Sequence, residues 1–217
     1  MQAPQSQSQS VRASWSDAFT TSLPIRVVTS LSNGLLAVER FAIMGLMALL
    51  TLLILVNVST RYAGLPIYWI DESAVYATVW LTFIGASAMT RLRLDFAVTM
   101  LTERLSPRGQ QIARIISALA VVGFGFGLGI MCWLWMDPIG IARAGFDAKT
   151  YAGETFNFLY TEQTQTLNWP SWVVYLTLPI FAVSMTLHGL ANTLEDLGIA
   201  EKSAFPGFHA TTSDGIN

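Results

Sequence analysis

The chain has 217 residues, of which 53% are hydrophobic and only 12% charged, and its mean hydropathy is +0.49. A soluble domain carries about 25% charged residues, so this chain has too little charge to cover a water-facing surface, and no basic run marks a nucleic-acid partner. The net charge of −2 excludes little, because in a membrane protein the placement of charge matters more than its sum.

In chain order, Met1 to Ser10 is Gln- and Ser-rich and uncharged. It lacks the basic start and short apolar core of a secretory signal, so residues 1–18 are expected to be a disordered cytoplasmic tail. Phe19, Leu23, Val27, Leu31 and Leu35 recur every four residues. That spacing predicts an amphipathic helix, lying on the membrane or extending the first span inward. Four apolar stretches follow, Phe41–Val58, Trp69–Met89, Ile112–Met136 and Trp169–Leu190. Each approaches the roughly 20 residues that cross about 30 Å of hydrocarbon. Each should be helical, because lipid cannot satisfy exposed backbone groups. Between the second and third spans, Leu92, Phe96, Met100 and Leu101 alternate with Arg93, Asp95, Glu103 and Arg104. This is a candidate second interfacial helix, ended near Pro107-Arg108-Gly109. The expected architecture is an all-α integral membrane protein with four transmembrane helices plus one or two amphipathic interfacial helices. Its membrane domain covers residues 19–195, with an outer loop at 137–168 and a cytoplasmic C-terminal tail at 196–217.

Basic residues set the orientation. Arg12, Arg26 and Arg40, then Arg91, Arg93, Arg104, Arg108 and Arg114, then Lys202, all fall on one side. The other side holds only Arg61, Arg143 and Lys149. Both termini should therefore be cytoplasmic. Trp69, Trp133, Trp135, Trp169 and Trp172 fall near the expected outer ends, as an aromatic belt would. The 137–168 loop carries Asp137, Asp147, Glu154 and Glu162 with several aromatics. It is either ordered against the membrane or a partner, or a plain solvated loop.

Catalysis finds little support. The histidines are His188, near the end of the fourth span, and His209, too few for two haem ligands facing each other across a bundle. Cys132 is the single cysteine and lies in an apolar run, where it reads as a small buried hydrophobe. No zinc spacing, nucleophile elbow or phosphate loop is present. The glycine run Gly123, Gly125, Gly127, Gly129 fails the dinucleotide fingerprint and gives small-xxx-small pairs suited to close helix packing. Asn57, Arg61, Asp71 and Glu72 gather at the outer ends of the first two spans, and an Arg61–Glu72 pair could tie those ends together. No ionisable residue sits mid-span in any apolar stretch. Ion-coupled transporters and proton pumps normally need such groups, or broken helices at the midplane, so the reading is a scaffold or accessory subunit, not an enzyme, with no cofactor and no metal.

The stretches Asn57-Val58-Ser59-Thr60-Arg61-Tyr62, Trp69-Ile70-Asp71-Glu72, Trp80 to Ser87 with Gly85, Arg91 to Val98, and Trp169 to Tyr175 resemble the small membrane subunit (Q, DctQ-type) of TRAP transporters, the tripartite ATP-independent periplasmic transporters. The resemblance covers roughly Leu35 to Leu190. It departs at Asp95, where the family usually has a His, and in the longer 137–168 loop. The resemblance implies a bacterial inner-membrane subunit that supports a large M-type membrane subunit. That partner carries the substrate and sodium sites and moves as an elevator, fed organic acids by a periplasmic substrate-binding protein. Asn57, Arg61, Trp69, Asp71, Glu72, Trp80, Gly85, Arg91 and Asp95 become candidate structural or partner-interface residues. The competing readings are a membrane-anchor subunit of a redox enzyme complex and a stand-alone channel or chaperone.

Overall fold

The computed structural model describes residues 23–94, 105–203 and 205. Asp95, His209, the expected tail 1–18 and most of the expected interfacial helix after Leu92 lie outside the described residues. Within them the chain is helical: α1 (Leu23–Tyr62), α2 (Tyr68–Leu92), α3 (Pro107–Met136), α4 (Pro138–Arg143), α5 (Ala148–Thr155), α6 (Ser171–Tyr175) and α7 (Thr177–Asp196). The four long apolar segments, with α3 running on into α4 and α6 into α7, are each long and apolar enough to cross a membrane. The protein is an all-α integral membrane protein.

Helix α1 has 40 residues. At 1.5 Å per residue it is about 60 Å long, twice the hydrocarbon thickness. The amphipathic stretch from Leu23 is therefore continuous with the first span and not a separate helix. Gly64 ends it in the left-handed conformation, with the Leu65 amide bonded to the Thr60 carbonyl at 2.9 Å, an arrangement that only a residue without a Cβ adopts cheaply. Helix α3 starts earlier than its apolar run. Ser106 accepts the Gly109 amide at 3.3 Å and Pro107 takes the first helical position. Pro107-Arg108-Gly109 thus opens a helix, because proline's missing N–H costs nothing in a first turn. Between α6 and α7 the chain stays close to helical at Leu176. Pro179, three residues on, has no N–H for the Tyr175 carbonyl, so the helical ladder is interrupted there.

The chain divides into two compact units. The first draws on residues up to Leu36, Met89–Gly123 and Met185 onward. Its interior is polar: Ser32, Arg91, His188, Asn192, Glu195 and Asp196 are all buried. Two of its helices also approach closely at Gly189. A Cβ on Gly189 would lie 2.9 Å from Val122 Cγ2 and 3.2 Å from Val121 Cγ1. The second unit comprises Ala37–Ala88 and Phe124–Ser184. Phe83 meets Phe181 edge-on at 5.2 Å, and Trp135 meets Tyr175 at 5.3 Å. Large apolar side chains such as Phe41, Leu52, Leu55 and Met131 stay exposed, which suits helices whose solvent is lipid.

Candidate functional site

Two polar networks hold the chemistry-bearing residues, one in each unit. In the second unit, Arg61 donates to Asp71 at 2.5 Å and to Asn57 Oδ1 at 3.1 Å, while the Asn57 amide donates to Asp71 at 2.5 Å. The triangle ties the end of α1 to the start of α2. The partner of Arg61 is thus Asp71 and not Glu72. Consecutive helix residues point about 100° apart, since the helix has 3.6 residues per turn, so only one of the two carboxylates can face α1.

Glu72 faces the long loop. Its carboxylate accepts the backbone amides of Gln165 at 2.8 Å, Thr166 at 2.7 Å and Leu167 at 3.0 Å, the Thr166 hydroxyl, and the Tyr76 hydroxyl at 2.8 Å. Three successive amides converge because the chain turns back sharply there. Thr164 donates its amide to the Trp169 carbonyl at 2.8 Å, and Ser171 donates to Glu162 at 3.0 Å. Charge-assisted bonds of this kind are the strong ones.

The rest of the loop caps α3. The carbonyls in the last turn of a helix lack partners within it. Here Tyr160 donates to the Met136 carbonyl at 2.5 Å, and Asn157 to the Trp135 carbonyl at 2.8 Å. Asp137 accepts the Gly140 amide and the Tyr151 hydroxyl, so one carboxylate starts α4 and holds α5. Burial, followed by the hydrogen bond to Asp137, pushes the Tyr151 phenol up from its ordinary value, and burial does the same to Tyr160. The Thr150 hydroxyl and the Lys149 amide pull Asp147, the cap of α5, below the usual carboxylate range.

In the first unit, Arg91 has no exposed side-chain surface and pairs with Glu195 at 2.7 Å, itself 2% exposed. The same guanidinium donates to Asn192 at 2.6 Å, Asn33 at 2.8 Å and Ser203 at 2.9 Å, and the Phe205 ring lies 5.3 Å away. Arg93 adds bonds to Asp196 and Glu195. One turn along α7, His188 Nδ1 lies 2.7 Å from the Ser32 hydroxyl. Two helix ends and the segment after α7 thus converge on one buried cation. No group of His, Cys, Asp and Glu among the described residues could hold a metal ion.

The sequence matches the family model described as "Tripartite ATP-independent periplasmic transporters, DctQ component" over residues 50–198. The chain belongs to the DctQ family. It is similar to the C4-dicarboxylate TRAP transporter small permease protein DctQ of Vibrio cholerae, at 24% identity over 159 residues, 71% of this chain and 68% of that protein. It is also similar to a Haemophilus influenzae protein described as a TRAP transporter small permease protein, at 30% identity over 95 residues, 42% of this chain and 53% of that one. No solved structure matches it significantly. As a DctQ-family chain it is a multi-pass inner-membrane transport component, and the redox-anchor reading finds no support.

Both networks of this DctQ chain lie mostly inside the matched residues, with Ser32, Asn33 and Ser203 outside. Of the residues singled out from sequence, Asn57, Arg61 and Asp71 meet in one network, Glu72 binds the loop, and Arg91 centres the other. Trp69 is exposed and Trp80 half-buried, and neither enters a network. A Cβ on Gly85, Gly123 or Gly127 would meet nothing within 4 Å, so no described neighbour packs closely there. Gly125 is buried, and a Cβ on Gly129 would come to 3.9 Å from Ala182. The close approach lies instead at Gly189. Sequence reasoning missed His188, Asn192 and Glu195 as a set, although their spacing of four and then three residues puts them on one helix face.

Proposed function

We propose that this chain is the small scaffold subunit of a secondary active transporter for organic acid uptake. It supports a large elevator-type membrane subunit that is coupled to an ion gradient, sodium in our reading, and fed by a periplasmic binding protein. The observation that carries the scaffold role is where the polar groups sit. The stretches Phe41–Val58, Ser73–Thr90, Ile115–Met136 and Ser171–Leu187 contain no Asp, Glu, Lys, Arg or His. A transport site needs ionisable groups or open backbone at membrane depth. Arg61 with Asp71, and Arg91 and Arg93 with Glu195 and Asp196, instead tie helix ends together, as a rigid platform requires. The name of the Vibrio cholerae relative supports a small organic acid as the substrate class. In this reading both termini face the cytoplasm, and Trp80, Gly85 and the glycines at 123 and 127 meet the large subunit.

The scaffold role predicts that the purified chain alone binds none of the organic acids taken up by its host's system. Titration calorimetry checks this, and micromolar binding to the isolated chain would overturn the assignment.

A further inference from the structure

The second unit holds an apolar cleft of about 740 Å³ that neither network uses. That volume lies within the roughly 300–1,000 Å³ of small-molecule sites. Its floor is buried, made of Cys132 and Met136 of α3 and Ile141 of α4. Its rim is exposed, made of Trp133, Phe146 and Val183. The loop between α3 and α6 roofs one side through Phe146 and Ala148. The residues flanking that roof in sequence are Arg143 and Lys149, two of the three basic residues on this side of the membrane. Both are exposed, and neither makes an ion pair with a described residue. Asp147 stands between them, with its carboxylate bonded to the Lys149 amide and Thr150.

We propose that this cleft is a phospholipid site, with one acyl chain on the Cys132–Met136–Ile141 floor and the phosphate held by Arg143 and Lys149. Three features select that occupant. The lining is apolar, so a polar substrate would lose its hydration without replacement. Trp133, Trp172 and Tyr160 border the cleft, and such side chains mark headgroup depth, where acyl chain meets phosphate. Arg143 and Lys149, exposed and without an ion pair among the described residues, supply the charge that a lipid phosphate needs and that an apolar helix of a partner protein does not. The long loop then acts as a lipid clasp. Surrounding lipid exchanges freely, whereas a clasped lipid is held by apolar burial and charge together.

The test uses the complete transporter, extracted in detergent from its native membrane, washed extensively and examined by native mass spectrometry. The expected result is one phospholipid retained on this chain. Val183→Trp with Ala148→Trp should fill the cleft and lower retention at least tenfold. Arg143→Gln with Lys149→Gln changes only exposed side chains, so the fold survives, and should lower retention several-fold. Cys132 reports the same occupancy. Adding back phosphatidylethanolamine with phosphatidylglycerol to fully delipidated transporter should slow its alkylation by N-ethylmaleimide several-fold. Absence of retained lipid on the unmodified chain would overturn the proposal, as would equal retention in both variants. So would a Cys132 reactivity that changes only on removal of the large subunit, which would make the occupant a protein segment.

Discussion

At the residue scale, burial decides which ion pair matters. The Arg61 and Asp71 side chains are 57% and 42% exposed, so their bridge should be worth only about 0–1 kcal/mol. Arg91 and Glu195 are sealed, and removing one partner of such a pair costs roughly 3–5 kcal/mol, because the other charge stays buried alone. Arg91→Ala should therefore lower the midpoint of thermal unfolding in detergent far more than Arg61→Ala. Arg91→Lys should recover little, since a point charge cannot serve Glu195, Asn192, Asn33 and Ser203 together. Equal effects at Arg61 and Arg91 would contradict this account. Glu72→Gln should behave almost like Glu72→Ala, because an amide nitrogen facing the Thr166 and Leu167 amides cannot accept from them. The readout is limited proteolysis of the 156–170 segment, which both variants should accelerate. That the outer polar residues form a cluster was legible in the sequence. Which carboxylate served Arg61 was not, because helix phase relative to a neighbour is set by packing and not by spacing along one chain.

At the element scale, the apolar runs identified the four spans, but their ends needed knowledge of caps. Helix α3 begins at Ser106-Pro107, a start signal present in the sequence five residues before its apolar run. Within this chain no described neighbour comes close to Gly123 or Gly127. Small residues permit close packing, but whether a neighbour comes near is a tertiary fact. Gly189→Val should clash with Val121 and Val122 and cost about 1–3 kcal/mol. Gly123→Ala has open space and should cost nothing in this chain, while gaining up to about 1 kcal/mol of helix propensity. If the 123–127 face meets the large subunit, Gly123→Leu should weaken co-purification without lowering the stability of the chain. Helix α5 carries a pH signature. The carboxyl of Asp147 is depressed when folded, so its contribution is present above its ordinary value of 3.8 and is lost as the pH falls through the folded value. Hydrogen exchange of the amides in 148–155 should therefore rise relative to the rest of the loop when the pH drops from 6 to about 3, after correction for intrinsic rates. Asp147→Asn should remove much of that difference.

At the scale of the whole molecule, membrane character and family were legible because composition and motif order survive without geometry. The buried Arg91 network was not, because its members lie up to 170 residues apart. The long loop was open between ordered and solvated, since nothing local announces that its backbone amides will serve a distant carboxylate. The proposed orientation, with both termini cytoplasmic, rests on the arginine distribution. With Cys132→Ser as background, Ser213→Cys should resist an impermeant thiol reagent in intact cells, and labelling there would reverse the topology. The central claim is that this chain is an indispensable scaffold that handles no substrate itself. The most direct measurement is uptake of a radiolabelled organic acid by proteoliposomes containing the large subunit, with its binding protein and an inward sodium gradient, with and without this chain. The account predicts uptake only when both membrane chains are present. Undiminished uptake by the large subunit alone would contradict it.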